Sequence, residues 1–378
     1  MSDKLVAIRN YIIRKKYKWI LKPIFFKIDT ETVHDWMIVF LQIVEKYALT
    51  KKITYWLFSY KNSSLEQNIL GINFKNPVGL AAGWNYEGKL TRIISALGFG
   101  FGTIGTITNK PYEGNAKPRL GRLVKSRSLL VNKGFKNMGI KKTLRQLERA
   151  RFVIPTGLSI GVTNTSTLAS QDNAVSDIVK AFEAAENSGV PFGYYELNIS
   201  CPNLQVPVEF YSPDNLSELL NAVTKNKLSK PLFIKMPIEK TNEEVIGMLE
   251  VIVKHPVSGV VFGNLQKNKN DPALDPSEVK RFQKGFFSGK PTEKRSNELI
   301  SLAYKKYGKK LVIIGCGGIF SAEDAYKKIK LGASLVQLIT GMIFEGPQVV
   351  SDINLELVKL LKSDSYKNIS EAVGKENC

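Results

Sequence analysis

The chain has 378 residues, of which 43% are hydrophobic, and its 54 basic against 34 acidic side chains give a formal net charge of +20. This hydrophobic content excludes wholesale disorder, and the length suits one large α/β barrel with an appendage or two domains. The positive charge favours anionic partners such as nucleic acid, phospholipid head groups or phosphorylated ligands. A lysine-rich proteome would produce the same charge, because basic residues are spread along the whole chain.

The cysteines and histidines limit the kinds of site that the chain can build. Cys201, Cys316 and Cys378 form no CxxC pair, so neither a zinc site nor a disulfide framework is predicted, and a reducing compartment fits best. His34 and His255 are the only histidines, which argues against a histidine metal site or catalytic triad, and we expect no metal. No apolar run reaches the length of a membrane span and no signal peptide is visible, which favours a cytosolic protein with the membrane surface open to it.

Residues 1–60 are predicted to form basic, aromatic-rich amphipathic helices. Asp29 begins a helix whose apolar side chains recur at helical spacing, namely Val33, Trp36, Met37, Phe40, Leu41 and Val44. Such helices are typical of an interfacial membrane anchor. A helical cap that packs on the main domain is the alternative interpretation.

Within residues 61–362, a predicted hairpin around Gly71 comes first, and alternating strands and helices come after it. Strands are predicted at 77–82, 101–106, 157–161, 194–199, 231–236, 259–262, 310–314 and 334–338, and helices at 86–97, 141–149, 174–188, 215–225, 241–254, 292–307, 321–331 and 347–361. Eight such units predict an α/β fold of the (β/α)8 TIM-barrel type, with a doubly wound sheet as the weaker alternative. A long loop is expected before residue 141, and residues 363–378 are expected to be a flexible tail.

The stretch 194–203 concentrates polar side chains at a predicted strand end. Aromatic and β-branched residues indicate a buried strand, which Pro202 and Asn203 terminate. In a parallel α/β protein this end of the strand carries the chemistry, so Asn198, Cys201 and Asn203 are candidate site residues. Alternatively, Cys201 is a small buried hydrophobic residue between turn-forming neighbours.

Two glycine-rich segments follow the last two predicted strands, IGCGGI at 314–319 and GASLVQLITG at 332–341. Their backbone amides and the Thr340 hydroxyl predict a site for a phosphorylated ligand, because the loops after strands 7 and 8 are the usual phosphate site of these barrels. Lys235 ends an apolar strand, where its cation needs either a flavin ring or an acidic partner. Asn264 ends the next strand and adds an amide.

Several motifs in fixed order resemble the dihydroorotate dehydrogenase family. They are FKNPVGLAAG at 74–83, GTIT at 105–108, GNAKPRL at 114–120, NISCPN at 198–203, FSGKP at 287–291, GGI at 317–319 and GASLVQ at 332–337. The similarity spans about residues 20 to 362, and DTETVH at 29–34 resembles the membrane-associated, quinone-dependent class. The resemblance implies an FMN enzyme of pyrimidine biosynthesis that oxidises dihydroorotate to orotate and passes electrons to quinone.

The resemblance also assigns roles to individual residues. FMN would contact Ala81, Ala82, Gly83, Thr106, Asn198, Lys235, Gly263, Gly289, Gly317, Gly318, Thr340 and Gly341, of which the last five would surround its phosphate. The substrate would contact Asn198, Asn203, Asn264, Tyr86 and Asn132, and the quinone tunnel would contain His34 and Arg122. Cys201 would be the base that removes the C5 proton of the substrate while C6 delivers hydride to the flavin.

The chain departs from the family pattern at several of these positions. Cys201 matches the soluble class, whereas the quinone-dependent class has serine, and an unperturbed thiol titrates near pH 8.5. Tyr86 replaces a lysine that touches the flavin and the substrate carboxylate, and Val131 stands at an asparagine position that a one-residue shift would restore as Asn132. Further replacements are Ser159, Gly263, Leu265 and Ile339. The basic residues Lys133 and Lys136 are candidates to compensate.

The leading hypothesis is a peripheral FMN dehydrogenase on the cytoplasmic side of the membrane, with the helical extension as its quinone tunnel. One alternative is a divergent flavoprotein of the same fold that acts on another dihydro-heterocycle, motivated by Tyr86, Val131 and Leu265. A second alternative is a basic flavoprotein that uses Cys201 on uridine in RNA. Because no separate RNA-binding domain is visible, nucleic acid is not expected as a partner.

Overall fold

The computed structural model describes residues 1–225 and 227–377. Its centre is a closed barrel of eight parallel strands, in which each strand pairs with the next along the chain and the last pairs with the first. The strands are Val78–Leu80, Phe101–Ile107, Thr156–Ile160, Tyr194–Asn198, Leu232–Met236, Gly259–Phe262, Val312–Cys316 and Leu335–Leu338. The predicted TIM barrel is confirmed, and the doubly wound sheet is excluded because the barrel closes.

Helices cover the outside of the barrel, so the parallel strands are buried on both faces, as their continuous apolar sequences require. The helices of this part of the chain are Ile93–Ala96, Ile140–Leu147, Gln171–Glu186, Pro213–Thr224, Asn242–Ile252, Pro276–Val279, Glu293–Tyr307, Ala322–Lys330, Thr340–Glu345 and Val349–Ser363. Short 3-10 turns lie at Ser63–Leu65, Lys290–Thr292 and Ile369–Ala372, and the predicted hairpin pairs Gln67–Ile69 with Ile72–Phe74. Because the barrel strands are parallel, all their carboxyl ends meet at one end of the barrel.

The N-terminal extension consists of the helices Asp3–Lys16, Lys22–Phe25, Thr30–Lys46 and Ala48–Phe58, with a π-helical turn at Tyr17–Leu21. Asp29 caps the third helix as predicted, since its carboxylate accepts the Thr32 amide at 2.9 Å. The inner side of the extension joins the main hydrophobic core through Val6, Ile38 and Leu41. The extension therefore packs directly on the barrel.

The outer side of the extension exposes large aromatic residues. The predicted apolar stripe of the helix Thr30–Lys46 is divided: Val33 and Leu41 are buried, whereas Trp36 and Phe40 are each 55% exposed. Trp19 is 73% exposed on a neighbouring turn. Within residues 1–225 and 227–377, no helix combines the length and apolarity needed to cross a membrane.

A small antiparallel sheet, here called the side sheet, lies outside the barrel. It joins Leu120–Leu123 and Ser128–Val131 to the distant strand Phe286–Gly289. The long loop expected before residue 141 therefore contains two strands. Strands this short have no clear periodicity, and the pairing depends on a segment more than a hundred residues away along the chain.

Two further expectations differ from the structure. The helix expected at 86–97 is reduced to Ile93–Ala96, because the Asn85 side chain hydrogen-bonds both the amide and the carbonyl of Leu90 and closes a turn. The tail 363–378 is packed along its described part rather than loose, since Ile369 and Ala372 are fully buried. Its apolar residues are too few to show a period, so burial there depends on tertiary contacts.

Candidate active site

A cavity of about 770 Å³ lies at the carboxyl ends of the barrel strands and continues beneath the helical extension. We call it the central cavity. Its barrel end carries strand-end amides, a thiol and glycine turns, whereas its other end is lined by apolar side chains of the helices at 22–58. A cavity of this size can enclose a cofactor-sized ligand together with a small substrate.

Nearly all of the predicted site residues line this one cavity. They are Cys201, Ala81, Ala82, Gly83, Thr106, Asn198, Lys235, Gly263, Gly289, Gly317, Gly318, Thr340, Gly341, Asn203, Asn264, Tyr86, His34 and Arg122. Asn132 is the exception: its side chain accepts a hydrogen bond from Asn115 at 3.1 Å and donates to the carbonyl of Ala116 at 3.3 Å. These bonds brace a loop, and the one-residue shift does not bring Asn132 to the cavity wall.

Hydrogen bonds fix the amides at the barrel end of the cavity. The Asn198 side chain donates to the Thr106 hydroxyl at 2.8 Å and accepts the Ser200 amide at 3.1 Å. The Asn264 side chain donates to the Ser200 carbonyl at 2.8 Å. Asn203 donates to the carbonyl of Val131 at 3.0 Å, which ties the loop after the strand Tyr194–Asn198 to the side sheet. These hydrogen bonds from protein groups fix the orientation of the amides, which favours precise ligand contacts.

Cys201 sits between these amides in packed surroundings, although part of the residue faces the cavity. Burial raises the pKa of the Cys201 thiol to about 12, against the opposing effects of the Asn203 amide and the Lys235 ammonium. The thiol is therefore protonated at neutral pH. It ionises less easily than the unperturbed thiol considered from the sequence.

Lys235 has the acidic partner that was one of the two alternatives for its cation. Its ammonium lies 4.0 Å from the Glu196 carboxylate, and both side chains are buried inside the barrel. The same lysine also lines the central cavity. Glu196 makes no hydrogen bond within the described residues, so its charge is balanced chiefly by Lys235. The pair leaves little net charge at this wall.

The glycine-rich end of the cavity suits a phosphate group. Gly289, Gly317 and Gly318 have positive φ angles of 82°, 92° and 74°, which lets the backbone turn without side chains between it and a ligand. Ser288 and Thr340 place their hydroxyls 2.9 Å apart at the same wall. Gly83 faces open space, since a Cβ there would meet only Ile339, at 3.7 Å. These features fit a flavin phosphate and ring, as the resemblance implies.

Tyr86 lies between an imidazole and an ammonium. The His34 ring stacks on the Tyr86 ring at a centroid distance of 5.5 Å, and the Lys133 ammonium lies 3.9 Å from the same ring centroid. The ring nitrogens of His34 are held by the Trp84 carbonyl at 2.9 Å and the Asp35 carboxylate at 3.0 Å. Burial and the Lys133 charge lower the pKa of His34 below its usual value. Lys133, one of the two basic residues named above as candidates to compensate for Tyr86, therefore lies directly against the Tyr86 side chain.

The far end of the cavity is an apolar tunnel with one arginine. Arg122 donates to the Ile28 carbonyl at 2.7 Å and lies 4.9 Å from the Phe26 ring centroid, so the side sheet and the extension meet at this residue. Burial lowers the pKa of Arg122, which nevertheless remains a cation. Met37, Phe40 and Leu41 supply part of the apolar wall. Such a tunnel suits a hydrophobic ligand with a polar head.

Comparisons with known proteins agree with this architecture. The family model described as dihydroorotate dehydrogenase matches residues 64–361. The dihydroorotate dehydrogenase (quinone) of Trichodesmium erythraeum is 35% identical, with 96% of this chain and 99% of the relative covered. The protein of the same name from Christiangramia forsetii is 36% identical, with 91% of this chain and 99% of the relative covered.

Solved structures give the same result. The ligand-free DHODH from Eimeria tenella superposes with a TM-score of 0.79 and 26% identity, covering 92% of this chain and 99% of the other. The complex of that enzyme with ferulenol has a TM-score of 0.75 and 27% identity, covering 87% of this chain and 95% of the other. On this sequence and structural similarity, the chain belongs to the dihydroorotate dehydrogenase family of flavin-dependent oxidoreductases.

Proposed function

We propose that this protein oxidises dihydroorotate to orotate with bound FMN and passes the electrons to a quinone, as a step of pyrimidine biosynthesis. The observation that carries the proposal is the continuity of the central cavity. It joins the thiol and amides at the strand ends and the glycine-rich end to an apolar tunnel beneath the extension. Relatives named dihydroorotate dehydrogenase (quinone) over nearly the whole chain support the same reaction.

The reaction removes a proton from C5 and a hydride equivalent from C6, and a C5–C6 double bond forms. Cys201 is placed to accept the C5 proton as a thiolate, and the Lys235 charge favours its ionisation. Asn198, Asn203 and Asn264 present amide groups that match the alternating donors and acceptors of a pyrimidine edge. Fixing these amides in advance positions C5 against the base.

FMN would be held by the glycine turns at Gly289, Gly317 and Gly318, the Thr340 hydroxyl, and the cavity wall at 81–83. When bound, FMN supplies the acceptor for the hydride of C6 and the donor of electrons to the quinone. Lys235 faces the same space and would stabilise negative charge there. Glu196 holds that lysine in place from the barrel interior.

The quinone enters from the membrane surface through the apolar tunnel, with Arg122 and His34 as its polar groups. Exposed Trp19, Trp36, Phe40 and Trp56 lie on the extension, where aromatic rings suit the boundary between lipid and water. Lys15 and Lys16 lie on the same segment and favour anionic head groups. We place the protein peripherally on the cytoplasmic side of the membrane.

The experiment that tests this proposal begins with the cofactor. The purified protein should contain FMN, identified by mass after extraction, and its visible absorbance should bleach when dihydroorotate is added without oxygen. Added quinone should restore the colour. An FMN protein that stays oxidised in millimolar dihydroorotate would contradict the substrate and favour another dihydro-heterocycle, the alternative that Tyr86 and Leu265 motivate.

A further inference from the structure

The central cavity contains a buried cation without a polar partner. Lys133 is 9% exposed, and its ammonium makes neither a hydrogen bond nor an ion pair with any of residues 1–225 and 227–377. The ammonium lies over the face of the Tyr86 ring, 3.9 Å from the ring centroid. A cation–π contact offsets only part of the free-energy cost of burying an ammonium.

The other buried cations of the described chain are all satisfied. Arg9 bonds the Ser351 hydroxyl at 2.7 Å, and Lys235 lies beside Glu196 at 4.0 Å. Lys328 donates to Ser296 at 2.9 Å and to Asn297 at 2.8 Å. Lys133 is thus an exception to a pattern that the rest of the protein follows. A buried polar group without a partner calls for an explanation, and a ligand is the most direct one here.

Of the lysines that line the central cavity, Lys133 is the one without an acidic partner among residues 1–225 and 227–377. Lys136 also lines the cavity, but its ammonium lies 3.4 Å from Glu31, which Arg119 contacts as well at 3.2 Å. Glu196 offsets Lys235. The asparagines of the proposed substrate site are neutral, so they cannot balance an anion. Lys133 lines the same cavity as Asn198, Asn203 and Cys201.

We propose that Lys133 binds the carboxylate of the substrate and is the residue that selects carboxylated over uncharged pyrimidines. The inference rests on the proposed function, whose substrate and product each carry one carboxylate. Tyr86 acts as a positioning residue: its ring supports the ammonium from one side and His34 supports the ring from the other. The carboxylate would supply the ion-pair partner that the protein lacks.

The test compares orotate with its methyl ester, which has the same ring but no negative charge. Dissociation constants are measured by calorimetry for the FMN-loaded protein and for the Lys133→Met and Lys133→Arg variants. Loss of a charged partner should weaken orotate binding by about 10- to 100-fold in Lys133→Met, with less than about a threefold change for the ester. Lys133→Arg should retain most of the preference for orotate.

Lys136→Met is the matched control, because it removes a lysine of the same loop and cavity that already has an acidic partner. Its preference for orotate over the ester should stay within about threefold of the original protein. Thermal unfolding separates a structural role from a binding role: removing an unpartnered buried charge should leave the melting temperature unchanged or higher in Lys133→Met. A lowered melting temperature with equal losses for both ligands would overturn the inference.

Different experimental results would contradict the role of Lys133 and the proposed function. If the original protein is reduced by dihydroorotate and Lys133→Met binds orotate equally well, the carboxylate is bound elsewhere and only the inference is wrong. If the original protein neither binds orotate nor is reduced by dihydroorotate, the proposed function itself is wrong. A rise in the KM for quinone alone would also contradict the inference, because it would place Lys133 in the tunnel.

Discussion

At the scale of single residues, the pKa of the Cys201 thiol is determined more by its buried position than by the ordinary acidity of a thiol. A thiol ionises more easily than a hydroxyl in water, but burial at the end of the strand Tyr194–Asn198 raises its pKa to about 12. The nearby Lys235 ammonium works in the opposite direction. The proposed base is thus present as a thiolate in only a small fraction of molecules at neutral pH.

Replacement of Cys201 by Ala should retain FMN but slow anaerobic flavin reduction by dihydroorotate by about 10²- to 10⁴-fold, the usual contribution of a general base. Stopped-flow absorbance at saturating dihydroorotate measures this rate. Cys316→Ala is the control, since Cys316 lines the cavity without a proposed proton-transfer role. Unchanged reduction in Cys201→Ala would remove this residue as the base.

The raised thiol pKa also predicts a pH dependence. Below its pKa the thiolate fraction rises tenfold per pH unit, so the reduction rate at saturating dihydroorotate should increase throughout pH 6–9. The charged groups that act on Cys201 are Lys235 and Lys267, which favour the thiolate, and Glu239, which opposes it. A rate that levels off near pH 7 would show that the base has a much lower pKa.

Orotate binding should weaken as pH rises, whereas the rate of flavin reduction should increase. Burial lowers the pKa of Lys133 to about 8, so the free protein loses this cation as pH rises through that value. The carboxylate favours the protonated lysine, and the orotate dissociation constant should therefore increase above about pH 8 and stay constant below it. The groups that share this region are Glu31, Asp35, Glu87, Lys136 and His34. Lys133→Met should abolish the dependence, which calorimetry at several pH values would detect.

At the scale of structural elements, the helical extension has two different sides. Ile38 is buried in the core shared with the barrel, whereas Trp19 and Trp36 are exposed. Deleting residues 1–60 would therefore expose the barrel core and remove the Arg9 bond to Ser351. Point substitutions on each side are the better test of what the extension does.

Ile38→Ala should lower the free energy of unfolding by about 2–5 kcal/mol, because it leaves a cavity where the extension meets the barrel. Chemical denaturation with fluorescence detection measures this value, and the unfolding should remain a single transition. A change below about 0.5 kcal/mol would mean that the extension and the barrel are not energetically coupled.

The outer side predicts membrane binding. The double substitution Trp19→Ser and Trp36→Ser should weaken association with vesicles containing anionic lipid by about tenfold or more, since two large apolar side chains would no longer be buried in the interface. Co-sedimentation measures the loss, and dihydroorotate-driven flavin reduction should be preserved. Val153→Ser removes an apolar side chain that is 65% exposed on the barrel and should leave vesicle binding intact. Equal binding by all three proteins would place the membrane contact elsewhere.

At the scale of the whole molecule, the barrel was predictable because its strands and helices have strong local patterns, and capping residues such as Thr241 and Ser321 mark helix starts. Glycine turns and strand-end amides were predictable for the same reason. The side sheet was not, since its pairing joins short segments far apart in sequence. Whether the Lys133 ammonium has a hydrogen-bond or ion-pair partner among the described residues depends on three-dimensional packing. The sequence could therefore identify Lys133 only as one of two candidate cations, together with Lys136.

The central claim is that one cavity serves two half-reactions, with the substrate at the barrel end and the quinone beneath the extension. Double-mixing stopped flow tests it directly: FMN is first reduced by dihydroorotate without oxygen, and the reduced protein is then mixed with a quinone in vesicles. We predict that Lys133→Met raises the dihydroorotate concentration needed for reduction without slowing reoxidation. Arg122→Met should slow reoxidation and leave reduction unchanged. If both variants impaired both half-reactions equally, or if dihydroorotate failed to reduce the original protein, the account would be contradicted.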